Sequence, residues 1–297
     1  MIHQIDIYGR DKVQKAVELL RLFEPKDGSG YFLAFSGGKD SVCVKTLADM
    51  AGVKYDAHYN VTSVDPPELV RFIKASYPDV VFDHATDDNG KPITMWSLIR
   101  KKKYPPTRLA RYCCAALKET NGEGRTVVTG VRWAESINRK NNQGTITIQN
   151  KNTEDDPSFE RTNRGGVVLK QEIAEIILNN DNDERRNVMD FCIKQRKKML
   201  NPIIDWEDED VWEFIKEYNI PYCSLYDEGY KRLGCIGCPM GRAKQQLEQF
   251  ARWPKYKELY QKAMNDCIRA DPGRFRKWKT GEDMFNWWIG ETDDKEE

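Results

Sequence analysis

Histidine is scarce. Only His3, His58 and His84 occur in 297 residues, none at metal-ligand spacing from another, and none is assigned a role. Net charge is missing too: 47 Lys and Arg balance 47 Asp and Glu, so no global field draws the chain onto nucleic acid or an anionic membrane. Any such binding must come from local patches. The first ten residues lack the apolar core of a secretory signal, and no uninterrupted apolar run is long enough to span a bilayer, so a cytoplasmic location is expected. What is present is a composition of 39% hydrophobic and 11% aromatic residues, enough to bury a sizeable core in one large α/β domain with an appended subdomain. In a reducing compartment eight cysteines are not a disulfide framework, and clustered ones read as metal ligands or redox groups. Two pairs cluster: Cys113 with Cys114, and Cys235 with Cys238.

Val13, Val17, Leu20 and Phe23 recur at helical spacing, and Pro25, Gly28 and Gly30 end that pattern. The apolar run 31–35 leads through Ser36, Gly37 and Gly38 into a helical pattern carrying Val42, Val44, Leu47 and Met50. A second strand is expected over 55–62 and a helix over 68–77, with further β-prone runs at 80–82, 126–129 and 202–204. This alternation predicts an α/β fold with a doubly wound parallel sheet, whose ligands bind outside the carboxyl ends of the strands. Residues 1–29 form a helical lead-in and 30–241 the main domain, interrupted at about 136–186 by a polar, Asn-rich insertion in which 145–148 and 167–169 pair as a hairpin. Residues 242–297 form a C-terminal helical region ending in an acidic tail, and with the loop around Cys235 they make a C-terminal helical and cysteine-loop subdomain. Trp133, Trp206 and Trp212 read as core.

Ser36-Gly37-Gly38-Lys39-Asp40-Ser41 follows a buried strand and opens a helix, where unpaired backbone N–H groups and the positive helix end favour an anion. The glycines let the backbone approach phosphate oxygens, Lys39 adds a cation, Ser36 and Ser41 add hydroxyls, and Asp40 suits a magnesium ion. The glycine-to-lysine spacing is shorter than in the Walker motif. Here the sequence resembles the PP-loop, or N-type, ATP pyrophosphatases, and within them the phosphoadenosine phosphosulfate reductase family. Val64-Asp65-Pro66-Pro67-Glu68-Leu69 is similar to the family's segment beside the nucleotide, Gly130-Val131-Arg132-Trp133-Ala134-Glu135-Ser136 with Arg139 to its arginine element, 201–211 to its Pro-Leu-x-x-Trp segment, and 225–230 to the stretch before its Cys-x-x-Cys. The resemblance implies an adenine nucleotide alpha hydrolase-like fold, an adenine nucleotide as ligand and Asp65 beside it.

Cleaving a phosphoanhydride or phosphosulfate concentrates negative charge that fixed guanidinium groups stabilise, and Arg132 and Arg139 are the candidates. Glu135 lies close enough in sequence to pair with either arginine instead. Cys113, Cys114, Cys235 and Cys238 supply the four thiols that a [4Fe–4S] cluster consumes, with Gly234 and Gly237 giving a tight loop and N–H groups for sulfur. Zinc also takes four thiolates, but an adjacent pair fits its spaced knuckles poorly. A thioredoxin-like disulfide fits neither the position nor the spacing. The resemblance favours iron–sulfur, because a Cys-Cys followed far downstream by Cys-x-x-Cys marks the family's iron–sulfur branch. Cys43, Cys192, Cys223 and Cys267 read as core.

Between Arg100 and Arg111 runs a basic segment, a solvated face or a landing strip for nucleic acid with Tyr104 for base stacking. Two departures from the reductase pattern set the expected chemistry. The phosphate loop is intact, which suits pyrophosphate, and no cysteine follows Cys267, so the reductases' C-terminal Glu-Cys-Gly nucleophile is missing. The leading expectation is ATP cleavage to AMP and pyrophosphate with magnesium, adenylating an acceptor for sulfur transfer, as in nucleic-acid thiolation, with a partner protein as sulfur donor or reductant. The alternatives are sulfonucleotide reduction to sulfite, with Cys267 or an external thiol as nucleophile, and a noncatalytic nucleotide-sensing subunit that binds nucleic acid.

Overall fold

In the computed structural model, which describes residues 2–3, 5, 10–119, 121–135, 140, 144–148, 159–161, 167–169 and 198–290, the short apolar runs pair into one sheet. The strands are β1 (Tyr31–Ala34), β2 (Tyr55–Asn60), β3 (Val81–Asp83), β4 (Thr126–Val128), β5 (Ile146–Ile148), β6 (Phe159–Arg161), β7 (Val167–Leu169) and β8 (Lys198–Leu200), in the spatial order β3-β2-β1-β4-β8-β5-β7-β6. Pairing is parallel from β2 through β1 and β4 to β8, with Leu33 opposite Ala57 and Val128, and Val127 opposite Met199. The expected parallel sheet is therefore present. After β1 the chain builds outward on one side through β2, then returns to lay β4 on the other side of β1. That reversal makes the carboxyl end of β1 the switch point where a ligand crevice opens.

The expected hairpin 145–148 with 167–169 forms as the antiparallel pair β5 and β7, with β6 added beyond it, and β5 joins β8 antiparallel. One strand differs from expectation: β8 occupies 198–200, and 202–204 is a turn. Pro202 has no N–H for a ladder. The Asn201 N–H goes to Thr145 O at 2.8 Å, and Ile204 N–H folds back to Asn201 O at 3.3 Å, so buried Ile203 and Ile204 reach the core from a turn.

Two compact units interleave along the chain. The first comprises Met1–Tyr59, Arg71–Val81 and Gly122–Lys231, and the second Asn60–Val70, Phe82–Asn121 and Arg232–Glu297. In the first, helix α1 (Lys12–Leu22) starts at a capping box between Asp11 and Gln14 and buries Val13, Ala16, Val17, Leu19 and Leu20. It packs on α2 (Lys39–Ala51), which also meets a later helix, Asp208–Glu217. Helix α3 (Pro67–Ser76) follows β2, as its apolar spacing predicts. The second unit holds α4 (Met95–Lys102), α5 (Tyr112–Leu117) and, beyond α6 (Asp208–Glu217) of the first unit, α7 (Ala243–Arg252), α8 (Pro254–Ala270) and α9 (Gly281–Ile289), and α4, α7, α8 and α9 share an aromatic cluster. Tyr260 is its centre, with ring centroids 4.9 Å from both Trp96 and Trp288. Helices α8 and α9 meet at Gly281, where a Cβ would collide with the Gln261 carbonyl oxygen.

Candidate functional site

Ser36, Gly37 and Gly38 stand at the carboxyl end of β1 and open α2, so the switch point of the sheet coincides with a helix N-terminus. Gly37 takes φ 71°, a left-handed conformation that glycine enters without strain. Gly38 is the N-cap in extended conformation and brings no side-chain cap of its own. The Ser36 hydroxyl donates to Ser41 Oγ at 3.2 Å, and Ser41 donates to Gly38 O at 2.9 Å. The Lys39 N–H donates to the Tyr226 hydroxyl oxygen at 2.9 Å.

Beside the loop four charged side chains interlock. Lys39 Nζ donates to Asp208 Oδ1 at 2.7 Å and Asp40 Oδ1 at 3.2 Å. Arg132, 1% exposed, donates from Nε to Asp40 Oδ1 and from Nη2 to Asp208 Oδ1, each at 2.6 Å, and from Nη1 to the Trp206 carbonyl at 3.0 Å. Burial works against the Arg132 charge, but Asp40 and then Asp208 outweigh it and its pKa is raised. The Lys39 hydrogen bond, ahead of Arg132, holds the Asp208 carboxyl below its ordinary range. Both carboxylates are gripped through Oδ1, and among the described residues neither Oδ2 receives a hydrogen bond. The quartet carries no net charge. Lys39 and Arg132, the expected phosphate-binding cation and transition-state arginine, both donate to two carboxylates, one of which, Asp208, the sequence reading missed.

All four clustered cysteines lie in the second unit. Cys113 and Cys114 open α5, where Arg111 Nη2 donates to Cys114 Sγ at 3.4 Å; contact with the Cys113 thiol, ahead of Arg111, brings the Cys114 pKa down. The same contact pushes Cys113 up. Cys235 donates to Thr62 Oγ1 at 3.6 Å, and burial raises its pKa against the pull of Lys118. The loop from Cys235 to Cys238 turns through Gly237 at φ 70°, with the Phe250 ring where a Cβ would lie. The Gly237 N–H, expected to reach sulfur, donates to Gln249 Oε1 at 2.9 Å. Among the described residues no three His, Cys, Asp or Glu side chains converge closely enough to hold one metal ion. The donor set nevertheless suits an iron–sulfur group in number and charge, since four thiols share one unit with Arg111 beside Cys114 and Lys118 beside Cys235.

The phosphoadenosine phosphosulfate reductase domain model matches residues 30–241. The chain belongs to the phosphoadenosine phosphosulfate reductase family. It is 39% identical over 71 residues to an adenosine 5'-phosphosulfate reductase of Oceanobacillus iheyensis, covering 23% of this chain and 30% of that protein. It is 26% identical over 163 residues to an uncharacterized 37.8 kDa protein of Escherichia phage 186, covering 55% of this chain and 38% of that one. The chain thus spans about a third of the length of these curated relatives. A phosphoadenylyl-sulfate reductase structure from Candida auris, a phosphate complex, aligns at 16% identity and TM-score 0.41 over 74% of this chain and 88% of that chain.

Other residues of the family pattern fall in different places. Asp65 lies in the second unit, buried, where Oδ2 accepts the Thr62 N–H at 3.0 Å and its charge acts on Lys118. Arg139 lies outside the described residues, as does Cys192. Glu135, which the sequence offered as an ion-pair partner for either arginine, accepts the Arg132 backbone N–H at 3.4 Å. Cys43 and Cys223 are core, and the Cys267 thiol is buried, donates to Ile99 O at 3.4 Å and has its pKa raised by burial. A nucleophile needs the opposite environment. The basic segment is largely engaged: Arg100 binds Asp266 at 2.7 Å, Lys103 meets Asp271 at 3.7 Å, and Arg108 donates to the carbonyls of Pro239 and Gly241. The Tyr104 ring, suggested as a base-stacking group, meets Trp287 edge-on with centroids 5.6 Å apart. The helices include none long and apolar enough to cross a membrane among the described residues.

Proposed function

We propose that this family member binds magnesium ATP at Ser36 to Ser41 and cleaves it between the α and β phosphates, releasing pyrophosphate and adenylating an acceptor oxygen that sulfur then replaces. One observation carries the reading: Asp40 and Asp208 each present Oδ2 while Lys39 and Arg132 hold Oδ1, at the N-terminal end of α2. Magnesium takes one or two carboxylates together with phosphate oxygens, and a neutral quartet needs that cation to balance a triphosphate. A sulfonucleotide without β and γ phosphates has no use for such a pair. The backbone around Gly37 and Gly38 would receive the β and γ phosphates, aided by the helix dipole. Lys39 and Arg132 would fix the two carboxylates, so that little reorganisation accompanies charge development.

Cys113, Cys114, Cys235 and Cys238 would hold an iron–sulfur cluster, with Arg111 and Lys118 offsetting its negative charge. Such a group, when bound, supplies electrons or sulfide for sulfur transfer. Anaerobically purified protein is expected to contain iron and sulfide and to absorb in the visible, and Cys114→Ser should lose both. Zinc in place of iron in the same elemental analysis would overturn the assignment.

The names of the relatives favour a second reading, reduction of adenylylsulfate or its 3'-phosphorylated form to sulfite. Assays with ATP, magnesium and acceptor, run beside assays with either sulfonucleotide and a thiol, separate the two. Pyrophosphate is expected in the first; its absence together with sulfite in the second reverses the order. Cys267→Ala is expected to leave the rate of whichever reaction occurs within about twofold, since removing a buried thiol touches packing alone. A collapse of sulfite formation in that variant would restore Cys267 as the nucleophile.

A further inference from the structure

We infer that Tyr226 is a displaceable occupant of the phosphate cradle, so that a polyphosphate binds by exchanging its own oxygen for the tyrosine hydroxyl; this rests on the phosphate-binding reading above. The Lys39 N–H is the first helical donor of α2, one of the backbone groups that helix geometry leaves without an intrahelical partner. Here its acceptor is the Tyr226 hydroxyl oxygen at 2.9 Å, and that oxygen also lies 3.4 Å from where a Gly38 Cβ would be. A neutral phenol oxygen thus sits at the position a phosphate oxygen needs. The exchange runs in favour of the anion, because a charged acceptor makes a hydrogen bond about twice as strong as a neutral one.

The surroundings of Tyr226 suit movement. It closes the 3-10 turn Ser224–Tyr226, is followed by exposed Asp227 and Glu228, and Gly229 takes φ 93° with open space around it. Only Leu225 of that turn is buried. The ring itself meets Trp212 of α6 edge-on, with centroids 5.2 Å apart, and this pairing supplies a reporter. Moving Tyr226 off Lys39 must change the environment of the Trp212 indole.

Calorimetric titration with inorganic pyrophosphate and with magnesium ATP tests the exchange. Tyr226→Phe keeps the ring and removes the competing oxygen, and it is expected to bind pyrophosphate about fivefold more tightly, the factor that one ordinary hydrogen bond represents. Pyrophosphate should change tryptophan fluorescence in the native protein, and the change should vanish in Trp212→Phe. Weaker binding by Tyr226→Phe would make the hydroxyl a phosphate ligand and overturn the exchange. Equal binding in both proteins would overturn it too, leaving the ATP reading intact. Absence of binding in both would remove the cradle and the exchange together.

Discussion

An Arg132→Ala protein is expected to lose about 3 kcal/mol of stability, because removing one partner of a buried ion pair leaves the other uncompensated. Urea unfolding followed by circular dichroism measures it. Three acceptors lose the guanidinium at once, Asp40 Oδ1, Asp208 Oδ1 and the Trp206 carbonyl, and among the described residues only Lys39 remains to hold the two carboxylates. Trp206 is itself buried at 1% exposure, so water cannot easily replace the guanidinium on that side. Pyrophosphate release should fall by about a hundredfold or more, since the loss of preorganised electrostatics at a reacting phosphate has that scale. Arg132→Lys should recover part of the stability and little of the activity, because an ammonium lacks the planar fork that reaches both carboxylates and the carbonyl.

Acid supplies an independent signature of the same network. The Asp208 carboxyl is held below its ordinary range, first by Lys39, with Arg132 adding to that against the effect of burial. A depressed folded pKa gives stability that is complete above the ordinary carboxylate range and lost as pH falls through the folded value. The gap between the native protein and Arg132→Ala should therefore narrow as the pH is lowered through that window. A gap of constant size from neutral to strongly acidic pH would mean that Arg132 matters through packing alone.

The strand, glycine turn and helix at the phosphate loop were legible because local chemistry fixes them: an apolar run, two glycines and a helical repeat need no distant partner. The partners of Lys39 and Arg132 were not legible, since Asp208 stands 169 residues from Lys39 and only the tertiary fold brings them together. Buried Ile203 and Ile204 imitate a strand in the sequence, yet Pro202 and the hydrogen bond from Asn201 to Thr145 move the ladder to 198–200. Sequence order also hides the interleaving of units, which brings Cys113 and Cys114 into the same body as Cys235 and Cys238. The cysteine spacing announced four thiols but carried no sign that Gln249 would take the Gly237 N–H. Tyr226 fell within a segment singled out for its family likeness, and nothing in its spacing revealed a contact with a backbone donor 187 residues away.

Gly130→Ala is expected to injure the site as severely as loss of a charged group. An alanine normally stabilises a loop by narrowing the unfolded ensemble, and Gly130 has no positive φ to forbid it. Space decides the sign. A Cβ at 130 would lie 2.9 Å from the Asp40 carbonyl carbon and 3.0 Å from both its carbonyl oxygen and its Cβ. These are backbone atoms of the first turn of α2 or are fixed directly to it, so no flexible side-chain end can yield. Either β4 and its following turn retreat or α2 shifts, and each movement alters the position of Asp40 relative to Arg132. Overpacking of this kind costs about 2 kcal/mol. Misplacement on the scale of an ångström lowers the rate by about a hundredfold even where every functional group survives. Pyrophosphate release with magnesium ATP should therefore collapse in Gly130→Ala while the iron content of the protein stays at the native level, because the four cysteines belong to the other unit. A variant with native turnover would show that Gly130 and Asp40 can separate freely, and the tight packing of β4 against the phosphate loop would then have no part in holding the carboxylates.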